Sequence, residues 1–303
     1  SHALEHSLAS HISHEDISLL FMQRLNDVFD GQLDLAIAIF KGEYHKTFLH
    51  DLVSSQLDMD RLDYINRDSF FTGVQEGSIG DARIIKMLNV ENNNLAIEYK
   101  GIYSVEQFLI ARRLMYWQVY LHKTGVVAER MLVNLLRRAN ELSLKGHVLP
   151  GSKAFQFFLT NQISDANFDS ETLKTFAKLD DYDILSAIKD WISHEDEILS
   201  SLSKMLINRE LLKIEISQTS MSEKEFEQLK VSKQKELGLS SEALSYFVFK
   251  DSIQNQAYDS SKSKINIYFK NGDIADITEA SDQLNLQALT KPVVKYFVCY
   301  PKK

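Results

Sequence analysis

The sequence predicts a mainly helical fold closed by a small mixed α/β element. Three observations carry that expectation. Apolar residues recur with a helical period over most of the first 240 residues. Only 3 prolines and 11 glycines, the two residues that interrupt helices, occur in 303 residues. The last sixty residues then switch to β-branched and aromatic types.

The elements follow in order. "DISLLFMQRLNDVF" places Ile17, Leu20, Phe21 and Leu25 on one helical face. "FLHDLVSSQLDMDRLDYINRDSFF" continues the period through Leu49, Leu52, Val53, Leu57, Leu62 and Ile65. "LAIEY" alternates after the polar "NVENNN" and predicts a short hairpin. "SVEQFLIARRLMYWQVYLHKTG" reads as one long amphipathic helix, with "VVAERMLVNLLRRANEL" as the next. Gly146 to Gly151 is a break. Helices resume with "SKAFQFFLTN", "ETLKTFAKLDDYDILSAIKDWI" and "EDEILSSLSKMLINRELLKIEI". The charged "SEKEFEQLKVSKQKELG" reads as a solvated helix. "ALSYFVFKD", "KINIYFKNGDIADI" and "PVVKYFVCYP" read as the α/β element, with Asn271-Gly272 as a two-residue hairpin turn. The expected organisation is a helical domain over 1–150, a helical extension over 151–240 and the α/β element over 241–303.

Bulk properties narrow the function. The formal net charge of −8 runs against a protein that holds nucleic acid along its surface, leaving only a local basic pocket. Cys299 is the sole cysteine, so no intrachain disulfide can form and a reducing, cytoplasmic setting is expected. No apolar run approaches the roughly 20 residues of a membrane helix. Four of the nine histidines fall in the first 14 residues, and the chain opens without methionine. Further residues upstream of Ser1 are therefore expected.

Two stretches are dense in chemistry. "SSQLDMDRLDYINRDSFFTG" holds Asp58, Asp60, Asp63 and Asp68 with Arg61, Tyr64 and Arg67 between them. On a helix, Asp60, Tyr64 and Arg67/Asp68 share a face. That pattern suits a solvated, ion-paired helix as well as a site, and Asp58 or Asp60 can equally cap the helix. "IARRLMYWQVYLHKTG" repeats Arg112, Tyr116 and Tyr120 at four-residue spacing before His122 and Lys123. Its face is aromatic and cationic. Such a face can bind phosphate and sugar; it can also be core aromatics beside solvated cations.

The pentapeptide "ISHED" occurs twice, at Ile12–Asp16 and Ile192–Asp196. Ser-x-x-Asp before an apolar run is a helix-start signal, and Ser and Asp are expected to perform that job in both copies.

These blocks resemble a known family. "SHALEH", "SHED", "SSQLDMDRLDYINRDSFFTG" and "RRLMYWQVYLHK" look like four ordered segments of the HD-domain phosphohydrolases, most closely the deoxynucleoside triphosphate triphosphohydrolase type. The resemblance implies an HD-domain helical fold and metal-dependent hydrolysis of a nucleotide, most simply a (deoxy)nucleoside triphosphate. It implies Asp60 as a metal ligand for a divalent transition metal or magnesium, the remaining His and His-Asp ligands being expected upstream of Ser1. His2 matches the general acid, and Glu5, His14 and Glu15 match the catalytic groups around it. Asp58, Arg61, Tyr64, Asp68, Arg112 and Tyr120 match substrate contacts. His122 and Lys123 match positions near the oligomer and effector region. A homodimer or higher oligomer is implied as well. His194 and Glu195 fall outside the matching blocks and are expected to be a polar helix turn. The alternative is a nucleotide-binding or scaffold protein of the same fold without turnover.

Overall fold

The computed structural model of the protein describes residues 12–164, 167–282 and 286–302. In chain order the elements begin with α1 (His14–Val28), α2 (Asp34–Phe40), α3 (Thr47–Val53), α4 (Met59–Thr72), α5 (Asp81–Met87), β1 (Leu88–Glu91), β2 (Asn94–Glu98) and α6 (Ile102–Met115). There follow α7 (Lys123–Leu144), α8 (Lys153–Thr160), α9 (Ser170–Phe176), α10 (Asp181–Trp191), α11 (Glu197–Ile207), β3 (Lys213–Ser217) and α12 (Glu223–Leu237). The chain closes with α13 (Ser241–Phe247), β4 (Phe249–Asn255), β5 (Asn266–Tyr268), β6 (Ile274–Asp276), α14 (Ile277–Ala280), α15 (Leu286–Leu289) and β7 (Val293–Tyr300). The fold is mainly helical with mixed α/β elements, as the sequence predicts. Among the described residues, no helix is long and apolar enough to cross a membrane.

The chain forms two compact units, one of residues 12–25, 123–252 and 296–302, the other of 26–122 and 253–295. In the first, α7 packs on α8, α11 and α13. Its core contains Met131, Leu135, Leu136, Leu199 and Leu202. Trp191 stacks on Phe155 with centroids 5.8 Å apart, and its indole N–H donates to the Pro150 carbonyl at 2.9 Å. A smaller cluster joins Phe226, Leu244, Val248 and Val298. The three-stranded sheet runs β3-β7-β4.

In the second unit, α6 is the central helix. It buries Ile102, Val105, Phe108, Leu109, Ala111 and Met115 against α4, α5 and residues brought in from 257–289. The four-stranded sheet runs β1-β2-β5-β6, with β2 and β5 parallel and the outer pairs antiparallel. The predicted β1–β2 hairpin is present, its turn made by Asn92 and Asn93 at φ 48° and 67°. Two adjacent left-handed residues give the twist that suits such a hairpin. Gly77 lies where no side chain fits: a Cβ there would stand 2.5 Å from Met115 Sδ and 2.7 Å from Ser69 Cβ. Gly77→Ala is therefore expected to cost about 1–3 kcal/mol through overpacking, read as a fall in Tm. An unchanged Tm would show that Met115 yields without cost.

Several expectations are corrected. The periodic run over 47–72 is two helices, because Ser54 leaves helical geometry (φ −146°, ψ 86°) and Asp58 caps a new start. The long helix ending at "YLHKTG" stops at Met115 and continues as a π-turn over Tyr116–Tyr120. "LKIEIS" is strand β3, paired to β7, rather than the end of a helix. "ALSYF" lies in α13, and only from Phe249 does the chain extend. The turn after β5 is longer than two residues: Phe269 N–H bonds the Asp273 carbonyl at 2.9 Å and Gly272 sits at φ 93°. The last sixty residues supply strands to both sheets, whereas the sequence reading gathered them into one terminal element.

The two "ISHED" copies start helices in different registers. In the first, Ser13 is the cap: its hydroxyl accepts from Asp16 N–H at 3.1 Å while Asp16 accepts from Ser13. In the second, Asp196 is the cap and accepts from Leu199 N–H at 2.8 Å. There residues 192–195 are used in the turn between α10 and α11, and His194 Nδ1 accepts from Asp196 N–H at 3.0 Å. The expectation that Ser and Asp act alike in both copies fails, because residues 192–195 form the turn after α10 and Asp196 alone takes the cap.

Candidate functional site

The candidate site is built on α4, the segment before it and the end of α6. Asp58 is extended at φ −82° and accepts from Arg61 N–H at 2.8 Å, which fixes the first turn of α4. Asp58 is 2% exposed, accepts from Ser55 N–H at 3.2 Å and also holds the Arg61 guanidinium. Arg61 bonds the Ser55 carbonyl as well. Asp58 thus spends its oxygens on the cap and on Arg61. Leu62, Ile65 and Ser69 point into the core; Asp60, Asp63 and Arg67 are exposed, and Arg67 pairs with Asp63 at 2.8 Å. Tyr64 and Asp68 occupy the margin between those faces.

The end of α6 meets this margin. Arg112 is 7% exposed and donates from Nη1 to Gln56 Oε1 at 3.1 Å. Its Nε is buried with no hydrogen-bond partner. Its guanidinium carbon is 5.9 Å from the Tyr116 ring centroid. The π-turn then widens the helix, with Leu121 N–H bonded to the Tyr116 carbonyl at 2.7 Å. That turn sets the Tyr116 and Tyr120 rings edge to face at 5.2 Å, and Tyr120 meets Tyr64 the same way at 5.8 Å. Tyr120 donates its hydroxyl proton to Asp68 Oδ2 at 2.8 Å. Arg61, Arg112, three tyrosines and Asp68 are therefore gathered in one side-chain cluster.

The electrostatics match this geometry. Burial, then the neighbouring Tyr116, pushes the Tyr64 hydroxyl up to about 12. Burial and the bond to Asp68 also raise Tyr120. Both tyrosines are neutral donors near neutral pH. Burial and repulsion from Arg112 lower Arg61 from its ordinary value, though it stays cationic. A cluster of two cations, neutral hydroxyls and one carboxylate, Asp68, suits an anion that also bears hydroxyl groups.

Other predicted residues stand elsewhere. His122 and Lys123 are exposed at the junction of the π-turn and α7. His14 and Glu15 lie in the first turn of α1, in the first unit, with side chains 52% and 64% exposed and His14 Nε2 3.2 Å from Glu15 Oε1. His2 and Glu5 lie outside the described residues. Asp60 is the one proposed metal ligand within the site. Among the described residues, no group of three or more His, Cys, Asp or Glu side chains is placed to hold a metal ion. A single exposed carboxylate does not fit a catalytic metal. Gln56 was not predicted. It carries no local signal, since its partner is 56 residues away in sequence.

Comparison with known proteins agrees with this architecture. Residues 79–149, which include the end of α6, match the family described as "HD associated region". The crystal structure of a phosphohydrolase from Bacteroides thetaiotaomicron superposes with a TM-score of 0.93 at 51% identity, covering 100% of this chain and 75% of that one. YwfO, an uncharacterized protein of Bacillus subtilis, is 30% identical over 288 residues, 89% of this chain and 63% of its own length. The chain thus spans less than two thirds of that relative. The deoxynucleoside triphosphate triphosphohydrolase SAMHD1 homolog of Dictyostelium discoideum is 23% identical over 155 residues, 47% of this chain and 30% of its own.

Proposed function

The chain belongs to the HD-type phosphohydrolases, and from that premise we propose that it hydrolyses a nucleotide, most simply a (deoxy)nucleoside triphosphate, at the side-chain cluster around Arg112. The observation that carries this reading is the buried Arg112, bonded through one nitrogen to a neutral side chain, with Nε bare. Such a cation can donate to a phosphate oxygen without first breaking an ion pair. Arg61, already bonded to Asp58, adds field more than a free donor. The Tyr64 and Tyr120 hydroxyls and Asp68 supply the donors and acceptors that a sugar needs. In hydrolysis, water oxygen bonds to phosphorus, the P–O bond to the leaving group breaks, and the leaving oxygen gains a proton.

The test is product release from a panel of ribo- and deoxynucleoside triphosphates, measured on the full-length protein with Mg, Mn, Fe, Co or Ni. Release of triphosphate from deoxynucleoside triphosphates is expected. No phosphate, pyrophosphate or triphosphate from any of them would reject hydrolysis. The second reading, nucleotide binding without turnover, draws on the lack of a metal cluster among the described residues. It would show as saturable nucleotide binding with no product.

A further inference from the structure

The chain buries two arginines to nearly the same depth and treats them in opposite ways. Arg138, on α7, is 6% exposed. It pairs with Asp196 at 2.5 Å, Glu242 at 2.5 Å and Glu141 at 3.5 Å. Arg112 is 7% exposed, and among the described residues it forms no ion pair. A buried cation without a counter-charge is costly, so native structures pair or coordinate it. Arg138 obeys that rule with three carboxylates; Arg112 has one amide.

That amide is fixed in place. Gln56 is 7% exposed and sits in the turn that enters α4. Leu57 N–H bonds Ser55 Oγ at 3.2 Å and Ser55 N–H bonds Asp58 at 3.2 Å, so the capping structure sets the backbone on both sides of Gln56. A guanidinium has only donors, so the amide must turn its oxygen toward Arg112. The nearest carboxylate on this segment, Asp58, is taken up by Arg61. Replacing the Gln56 amide nitrogen by oxygen would complete an ion pair with Arg112 at almost no change in volume.

We propose that Gln56 is a positioning and specificity residue: it holds Arg112 without neutralising it, reserving the full charge for an incoming phosphate. This rests on the phosphate reading of the cluster. The Tyr64 and Tyr120 hydroxyls stay neutral, and the carboxylate on that side, Asp68, is bonded to Tyr120. The bound anion then supplies the counter-charge that the protein withholds, so affinity falls when the protein supplies it instead.

The experiment uses the full chain and inorganic tripolyphosphate, with affinity from calorimetry and Tm measured without ligand. Gln56→Glu is expected to lose about tenfold or more in affinity while its Tm stays at or above that of the wild type. Gln56→Met, which removes the acceptor and adds no charge, is expected to lower Tm and weaken binding less than Gln56→Glu. A purely structural Gln56 would move Tm and affinity down together in both variants, and that result overturns the inference. So does wild-type affinity in Gln56→Glu alongside weakened binding in Arg112→Gln. Wild-type affinity in Arg112→Gln would instead overturn the phosphate reading itself.

Discussion

Under the proposed nucleotide hydrolysis, replacing Arg112 with alanine is expected to lower turnover by roughly 10²–10³-fold, on the scale of removing one donor to a developing oxyanion. Among the described residues its Nε has no partner, and Nη1 has only the Gln56 oxygen. Removing it therefore strands no carboxylate. The fold should survive, with a small change in Tm, and the loss should fall on kcat/KM. Steady-state release of phosphate or triphosphate over a substrate series measures it. A kcat/KM within about twofold of wild type would remove Arg112 from the site.

Replacing Arg138 with methionine is expected to be the most damaging change to stability, at about 3–5 kcal/mol, because it leaves a buried carboxylate unpaired. Asp196 receives three guanidinium bonds, two from Nε at 3.1 and 3.2 Å and one from Nη2 at 2.5 Å, and its side chain is only 14% exposed. It also caps α11, so loss of its partner loosens the start of that helix. Glu242 is 57% exposed and contributes less, since water can replace Arg138 there. Denaturant titration measures the difference. A loss under about 1 kcal/mol would show that the cluster is solvated and contributes as surface pairs do.

The same cluster has a pH signature. Burial alone would raise the Asp196 carboxyl; the bonds from Arg138 and from Leu199 N–H outweigh it and hold the group below its ordinary value. A depressed folded value means that this stabilisation is present above the unfolded value of about 3.9 and is lost as pH falls through the folded one. The stability gap between wild type and the Arg138 variant should therefore narrow in acid.

The sequence by itself determined the local features. Helical class, the β1–β2 hairpin, the charged helix α12 and a helix start at Asp58 or Asp60 follow from periods and neighbours a few residues apart. The Asp58–Asp68 and Arg112–Tyr120 blocks were visible as dense polar stretches for the same reason. Their meeting was not, because Tyr120 reaches Asp68 across 52 residues of sequence and Arg112 reaches Gln56 across 56. Nor could spacing reveal the π-turn, which depends on how the end of α6 packs. "ISHED" shows the division most plainly. One pentapeptide starts two helices three residues apart in register, since capping is a local preference that the preceding turn can overrule. The charge state of a buried arginine is the same kind of question. Arg112 and Arg138 are alike in sequence, and only the folded chain decides that one meets three carboxylates and the other an amide, because ion pairing acts over a few ångströms of space and not over distance along the chain.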